Sequence, residues 1–523
     1  MLKRRSSIIA TASLLAILTA GLILRILNFS KYILYPDGYV NLILGERILA
    51  LKTTVISLGS YGDQFPVFYH WTRPLTPFVL GGISGLFSVD SLQASRIVNI
   101  AAYVVAAGLV FVLGRWLFVS NRYASIAALA FSVSATEAIW AGFPLTEPLA
   151  AVCVLLVMTT MIKLDPTKHS SQMILGFALG SAVLCRYEYA LLIVPVAVYM
   201  ALTYGKKAAT SALVRAYSVA SVFVVVCLLI VVRPYIYDTL QLGGALVCLF
   251  GIALFAINIK LPSRMWSRVL CGGITILYIV LSSGLRSFIL AELPLVIVAT
   301  VGVFKWGQLS KRPVVPFTMI SFLLFGCVFV VFSSTNMRYW TLFVPMLALL
   351  APAGVVGIVE YCKRRIVYVP IIALLLIVQL ILCGDGIRYW SDGVYRQMAY
   401  EQIAAKRLRP YIGDNAILIT AEPEPYYYET RSSLLYASNE KQYVSAEHLK
   451  SLSDKEVVIV QDAGMHVLYP SFSEWLTVNL SKYKVGTFEV DQPFLYDSAL
   501  YRQYHRVVIY KIPADDLAAR LSR

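Results

Sequence analysis

The chain has 523 residues, of which 59% are hydrophobic and 14% charged, with a formal net charge of +16. Soluble domains are roughly 45 to 50% apolar, so a soluble globular protein is excluded. The basic residues stand in short clusters between apolar runs, which marks membrane topology and excludes a nucleic-acid partner. All eight cysteines lie in or beside apolar segments without CxxC spacing, which speaks against a cysteine zinc site or a disulfide framework.

In chain order, Lys3-Arg4-Arg5 precede an apolar run, 7–27, that resembles a signal peptide. It is long enough to span a bilayer and no small-residue cleavage site follows, so it reads as an anchor. Tyr35-Pro36-Asp37-Gly38-Tyr39 comes next and opens an amphipathic run, Val40 to Leu51, ahead of a polar loop. Apolar windows of about 20 residues then predict spans at 94–114, 123–143, 147–163, 172–187, 189–204, 212–232 and 240–259. Five more are predicted at 267–284, 287–305, 314–333, 340–360 and 366–384, which makes about thirteen with the first.

With the N-terminus inside, the inner loops receive Lys3-Arg4-Arg5, Arg115 with Arg122, Lys163 with Lys168, and Lys206-Lys207. They also receive Lys260 with Arg264 and Arg268, Lys311-Arg312, and Lys363-Arg364-Arg365, as the positive-inside rule asks. The outer face receives the loop 28–93, the turns near 144, 188, 235, 286 and 336, and the tail. The tail, 385–523, is polar and cysteine-free. It alternates helix-like segments (Val394 to Leu408, Ala446 to Leu452) with β-rich runs (Ala416 to Thr420, Val457 to Gln461, Lys484 to Val490, Arg506 to Tyr510). The expected fold is therefore a polytopic α-helical membrane protein. Its transmembrane domain covers 1–384, including the outer loop 28–93, and a small extracytoplasmic α/β domain covers 385–523. Asn28-Phe29-Ser30 and Asn479-Leu480-Ser481 match the glycosylation triplet, a pattern common by chance.

Ionisable residues at the outer ends of the spans are the candidates for chemistry, because charge at membrane depth is costly unless used. Asp37 fits a general base or a metal ligand, and equally a helix N-cap. Glu147, in Leu145-Thr146-Glu147-Pro148, fits a site acid, and equally a first-turn acid behind a Thr146 cap. Arg186 could hold a substrate anion, or close a helix and pair with Glu188. Arg338, beside Tyr339 and Trp340, suits a phosphate at headgroup depth, although a snorkelling arginine in an aromatic belt has the same sequence. Arg233 and Arg286 are weaker versions of the same idea, and His70, between Tyr69 and Trp71, is a possible substrate contact or a structural histidine. The run Glu422-Pro423-Glu424-Pro425-Tyr426-Tyr427-Tyr428 reads as a turn followed by an aromatic helix face, suited to packing or to stacking on carbohydrate.

The order of these motifs resembles the GT-C class of membrane glycosyltransferases, in the branch of dolichyl-phosphate-mannose protein mannosyltransferases and bacterial aminoarabinose transferases. The resemblance rests on Pro36-Asp37-Gly38-Tyr39 with Gly45-Glu46-Arg47, and on Arg73-Pro74-Leu75-Thr76-Pro77 leading through Ser95-Arg96 to Leu113-Gly114-Arg115-Trp116-Leu117-Phe118. It rests further on Thr146-Glu147-Pro148-Leu149, on Arg186-Tyr187-Glu188-Tyr189, and on Arg338-Tyr339 with Val344-Pro345.

The resemblance implies an inverting transfer on the outer membrane face from a polyprenyl-phosphate sugar to a lipid, glycan or protein acceptor. Asp37 and Glu147 are then the catalytic acids, with Asp37 as base; Arg338 and Arg186 hold the donor phosphate. Glu188, Tyr339, His70, Arg233 and Arg286 are further substrate contacts. A divalent metal stays open, with Asp37 and Glu147 as its ligands if one is used, because Gly38 stands where many relatives carry a second acid. Two alternatives remain: a transporter or flippase of lipid-linked saccharides, and a polymerase or ligase using a pyrophosphate-linked donor.

Overall fold

A computed structural model describes residues 2–29, 36–49, 74–231, 250–254, 274–332, 336–388, 400–413, 416–421, 423–430, 433–436, 449–450, 454–491 and 505–522. His70 and Arg233 lie outside these residues. The chain divides into two compact units: Met1–Phe29, Arg73–Val79 and Leu86–Arg388 form the first; Ser30–Thr72, Leu80–Gly85 and Tyr389–Arg523 form the second.

The described helices begin with α1 (Leu2–Leu27), α2 (Pro36–Leu49), α3 (Leu75–Phe87) and α4 (Ser91–Phe118). Next come α5 (Asn121–Ser132), α6 (Ala135–Trp140), α7 (Glu147–Ile162) and α8 (His169–Cys185). A 3-10 turn, Tyr187–Leu192, runs into α9 (Ile193–Tyr204), followed by α10 (Lys206–Val231). Helices α11 (Ile274–Leu281) and α12 (Ser283–Ala291) meet at 103°. Then follow α13 (Leu293–Leu309), α14 (Val314–Phe332), a 3-10 turn Met337–Phe343 feeding α15 (Val344–Cys362), and α16 (Arg365–Arg388).

Among the described residues six helices are long and apolar enough to cross a membrane, or seven if the bent pair is one span. Several predicted spans are shorter or broken. The window 123–143 becomes α5, α6 and an irregular stretch, because Ser134, extended at φ −60° and ψ 127°, caps a new helix by accepting the Glu137 N–H. The window 287–305 is interrupted at Glu292, where α12 ends and α13 begins. The windows 240–259 and 267–284 fall largely outside the described residues.

Close helix contacts in the first unit run through glycine, as expected where packing rather than hydrophobicity drives association. A Cβ on Gly354 of α15 would strike the Val298 carbonyl oxygen of α13, and one on Gly302 of α13 would strike the Leu350 carbonyl. On α8, a Cβ at Gly176 would meet the Ala216 carbonyl of α10. Glycine is thus required by backbone-to-backbone approach at these points.

The second unit contains a five-stranded sheet ordered β2-β1-β3-β5-β4, from β1 (Ala416–Thr420), β2 (Ser433–Tyr436), β3 (Glu456–Gln461), β4 (Lys484–Glu489) and β5 (Arg506–Pro513). Strand β1 is parallel to both β2 and β3, while β5 is antiparallel to β3 and β4. Helices α17 (Tyr400–Leu408), α18 (Pro423–Thr430), α19 (Ala463–Leu468), α20 (Pro470–Asn479) and α21 (Ala514–Leu521) complete the α/β domain. Its core includes Ile417, Ile419, Val457, Ile459, Leu476 and Ile512. The four expected strands are present, and the added β2 is four residues long, too short to carry an alternation. The Asn479 side chain donates to the Trp475 carbonyl at 2.9 Å, so this triplet's amide serves the end of α20.

Two outcomes follow. Gly354→Val should destabilise the first unit by about 2 kcal/mol or more through overpacking. Gly108→Ala, whose Cβ meets nothing within 4 Å, should not; heating the detergent-solubilised variants and measuring the monodisperse fraction distinguishes them. Asp462, fully buried at the end of β3, has its carboxyl pushed up by burial, against the pull of hydrogen bonds from Tyr426 and the Met465 N–H. The folded state therefore keeps this proton to higher pH than the unfolded chain, so the group's contribution to stability falls as pH rises from the ordinary carboxylate value through the raised one. Asp462→Asn should remove that decline from the thermal midpoint measured across mildly acid pH.

Candidate functional site

Glu147 is the first residue of α7, and Pro148 behind it pre-sets the helical φ where no N–H partner is needed. Thr146 does not cap the helix with its hydroxyl, contrary to expectation, because its own backbone is already helical at φ −81° and ψ −17°. The stretch leading to Glu147, residues 141–146, is irregular and buried throughout. Such backbone survives at membrane depth only when protein supplies its hydrogen bonds.

Asn99 does so for the stretch itself, and other side chains hold the ends of α5 and α6 just ahead of it. Asn28 Nδ2 donates to the carbonyls of Ala138 at 2.8 Å and Ile139 at 2.6 Å. Asn99 Nδ2 donates to Ala141 at 2.9 Å and Phe143 at 2.6 Å. Arg25, buried in α1 and stacked 3.8 Å from the Tyr103 ring centre, donates to the Ser132 carbonyl at 3.0 Å. Glu292 fixes the start of α6: its Oε1 accepts from Ser134 Oγ at 2.6 Å, from the Thr136 N–H at 2.8 Å and from Thr136 Oγ1 at 2.8 Å. Its Oε2 accepts from Gln379 Nε2 at 3.0 Å.

Arg186 ends α8 in an extended conformation, φ −151° and ψ 117°, which turns its side chain out of the helix path. Its Nη1 donates to Glu147 Oε1 at 2.8 Å and its Nε to Glu188 Oε1 at 2.7 Å. Arg338 stands on the 3-10 turn before α15, where the Asn336 side chain accepts its N–H at 3.1 Å. Its Nε lies 3.6 Å from Glu147 Oε1. Tyr339 lies against both cations, its ring centre 4.8 Å from the Arg186 guanidinium and 5.2 Å from that of Arg338. Exposure is 2% for Glu147, 1% for Arg186 and 5% for Arg338, so Arg338 does not snorkel toward headgroups. Two atoms of the cluster, Glu147 Oε2 and Arg186 Nη2, are buried without a hydrogen-bond partner. Each such atom costs about 1 to 3 kcal/mol until a polar group meets it, so the pair is suited to meeting a polar ligand.

Five of the expected residues, Glu147, Arg186, Glu188, Arg338 and Tyr339, thus meet in the first unit. Arg286 does not join them. It is exposed and donates to the Ile279 and Val280 carbonyls at 2.9 and 2.8 Å, securing the bend between α11 and α12. Asp37 lies in the second unit, half-buried, in the first turn of α2; because the helix starts at Pro36, Asp37 is not its N-cap. Glu292, Glu137, Asn28, Asn99 and Arg25 are buried polar residues near the cluster's supporting chain that do not stand out in the sequence as site candidates. Glu137 is buried in α6 with Oε1 unpartnered. Their signal was a polar side chain near the end of an apolar window, a signal that Glu147 and Arg186 gave more visibly beside proline and a second charge.

The cluster does not suit a resident divalent ion. Glu147 Oε1 and Glu188 Oε1 both accept from Arg186, whose charge would repel a cation. Among the described residues no three metal-ligating side chains converge.

Residues 72–237 match the family described as dolichyl-phosphate-mannose-protein mannosyltransferase. In fold the chain is similar to the Archaeoglobus fulgidus oligosaccharyltransferase tethered with an acceptor peptide containing the NVT sequon. The TM-score is 0.58 at 13% identity, over 98% of this chain and 77% of that one. It is similar also to ArnT from Cupriavidus metallidurans bound to undecaprenyl phosphate, with TM-score 0.56 and 13% identity over 97% of each chain. The family match over residues 72–237 and the shared fold together support the GT-C class of membrane glycosyltransferases. The archaeal oligosaccharyltransferase AglB from Archaeoglobus fulgidus, in complex with an inhibitory peptide and a dolichol-phosphate, matches with TM-score 0.56 and 14% identity over 92% of this chain and 72% of that one. No curated protein matches in sequence. At these identities the likeness to solved structures is one of fold. The family match carries Glu147, Arg186 and Glu188 but ends before Arg338 and begins after Asp37. The matched family is one of transferases, which speaks against the transporter alternative.

Asn99→Leu keeps the side chain's size but strands the Ala141 and Phe143 carbonyls that it serves. Stability should fall by about 1 to 3 kcal/mol, read as a lower thermal midpoint of the purified protein.

Proposed function

We propose that the chain is an inverting glycosyltransferase that moves a sugar from a polyprenyl-phosphate donor to an acceptor hydroxyl on the extracytoplasmic face of the membrane. The buried Glu147–Arg186–Arg338 cluster carries the reading, because it leaves one acceptor atom and one donor atom unmet beside two arginines. The lipid phosphates in the ArnT and AglB structures support a lipid-linked donor. The basic inner loops support the sidedness.

In this reading Arg338 lies along the donor phosphate and Arg186 adds its Nη2, while Nη1 and Nε keep Glu147 and Glu188 in place. Glu147 Oε2 accepts a hydroxyl of the sugar or the acceptor and orients it. Asp37 takes the proton from the acceptor oxygen as that oxygen forms its bond to the anomeric carbon. The bond from that carbon to the phosphate oxygen breaks on the opposite face, and the electron pair leaves with the polyprenyl phosphate. The arginines stabilise the charge that collects there.

Asp37→Asn should lower turnover of radiolabelled polyprenyl-phosphate hexoses by about 100-fold or more, in vesicles carrying native lipid and glycan acceptors. Full activity would remove Asp37 from the base role. Arg338→Lys loses the planar fork and should raise the donor KM about tenfold, with a smaller change in kcat. An unchanged KM would place the phosphate elsewhere.

A further inference from the structure

Within the second unit, β1 and β3 are parallel neighbours, but the chain leaves their carboxyl ends in different directions, toward β2 after β1 and toward the antiparallel pair after β3. Open α/β sheets bind ligands in the crevice that such a switch point creates. Here the crevice is filled from within. Tyr426 of α18, fully buried, donates its hydroxyl to Asp462 Oδ2 at 2.6 Å. Asp462 Oδ1 accepts the Met465 N–H at 2.8 Å, and the Tyr400 hydroxyl accepts the Ala463 N–H at 3.1 Å. The N–H groups that would greet a small anion are already engaged.

What the filled edge does hold is a helix. Tyr426 ties α18 to the sheet, and Gln402 Nε2 of α17 donates to Glu429 Oε1 at 2.9 Å, which fixes the other end of α18. Two residues after Tyr426, Tyr428 meets Tyr39 of α2 edge to face, with ring centres 5.7 Å apart. Helix α2 is closed in around this contact: Tyr39, Leu42, Ile43 and Leu44 are all buried. On another side, a Cβ at Gly81 would strike the Gly45 carbonyl, so α2 and α3 touch backbone to backbone. Asp37 is two residues before Tyr39 on this helix.

We propose that the α/β domain serves as the holder of the Asp37 helix, with Tyr428 as a positioning residue that acts through Tyr39 and is itself fixed by the Tyr426–Asp462 bond. This rests on Asp37 being the base. A packing error of about an ångström at a catalytic group reduces turnover on the order of 100-fold, so the loss of an aromatic contact two residues away reaches the chemistry without touching substrate.

The test uses the full-length protein. Tyr428→Ala should lower kcat for the radiolabelled polyprenyl-phosphate hexoses about tenfold, with the donor KM unchanged, and Tyr428→Phe should restore it. In the Asp37→Asn background, Tyr428→Ala should cause no further loss. Hydrogen exchange of 36–49 should quicken about tenfold in Tyr428→Ala, and Phe should again restore it. Unchanged exchange and kcat in Tyr428→Ala would overturn the proposal, and so would a further loss in the Asp37→Asn background. Full activity of Asp37→Asn alone would instead overturn the base assignment, and the exchange measurement would still decide whether the domain holds α2.

Discussion

The contact between Arg186 and Glu147, 2.8 Å long with each side chain nearly inaccessible, constrains the rest of the first unit. Removing an ion from water costs several kcal/mol even after relaxation, and the mutual attraction offsets this only when the geometry is good and the remaining lone pairs and N–H groups are met. Glu188 meets Arg186 on its second face and Arg338 approaches Glu147 from a third element. Three separate pieces of chain must therefore end at one point: the start of α7, the end of α8 and the turn before α15. Deleting one charge strands the others, which ties the local geometry of all three to a single electrostatic condition.

Delivering Glu147 to that point requires buried chain that is not helical, and this is what the asparagines are for. The contrast with Glu292 is instructive, because both acids stand at the start of a helix with a proline close behind, in Glu147-Pro148 and Glu292-Leu293-Pro294. Glu292 accepts four hydrogen bonds from neutral donors, with both oxygens engaged, and holds the first turn of α6. Glu147 is held on one oxygen by cations and keeps the other unmet. Similar sequence contexts thus yield one carboxylate with both oxygens engaged and one with an oxygen left over, and the difference lies in what remains unsatisfied.

That contrast also marks how far the sequence could be read. Charges beside proline or beside a second charge were visible as departures from apolar runs, so Glu147, Arg186, Glu188, Arg338 and Tyr339 were legible as candidates and do converge. Asn28 and Asn99 were not, since their partners lie 110 and 42 residues away and a lone amide has no local pattern. The break at Ser134 was hidden inside a continuous hydrophobic window, whose period cannot separate one buried helix from two. The place of Arg286 was hidden for a related reason: an arginine that serves two carbonyls at a bend has the same neighbours in sequence as one that serves a ligand. Strands β1, β3, β4 and β5 were readable from β-branched runs, whereas the membership of α2 in the same unit as the sheet depends on long-range packing.

Charge balance narrows what the cluster can bind under the proposed reading. Arg186 and Arg338 are opposed by Glu147 and Glu188, so the four side chains are close to neutral together, and a buried neutral cluster attracts a polyanion weakly. A sugar joined to a polyprenyl phosphate is a phosphodiester with one negative charge, and a pyrophosphate-linked donor carries two. The single charge suits the Arg338 guanidinium, whose Nε stands 3.6 Å from Glu147 Oε1, with one further donor at Arg186 Nη2. As the bond to the anomeric carbon breaks, the leaving phosphate gains a second charge while the sugar carbon becomes positive. The arginines then meet more charge than they did in the ground state, and Glu147 faces a more positive sugar. Both interactions strengthen toward the transition state, which is the condition for accelerating the reaction rather than merely binding its substrate.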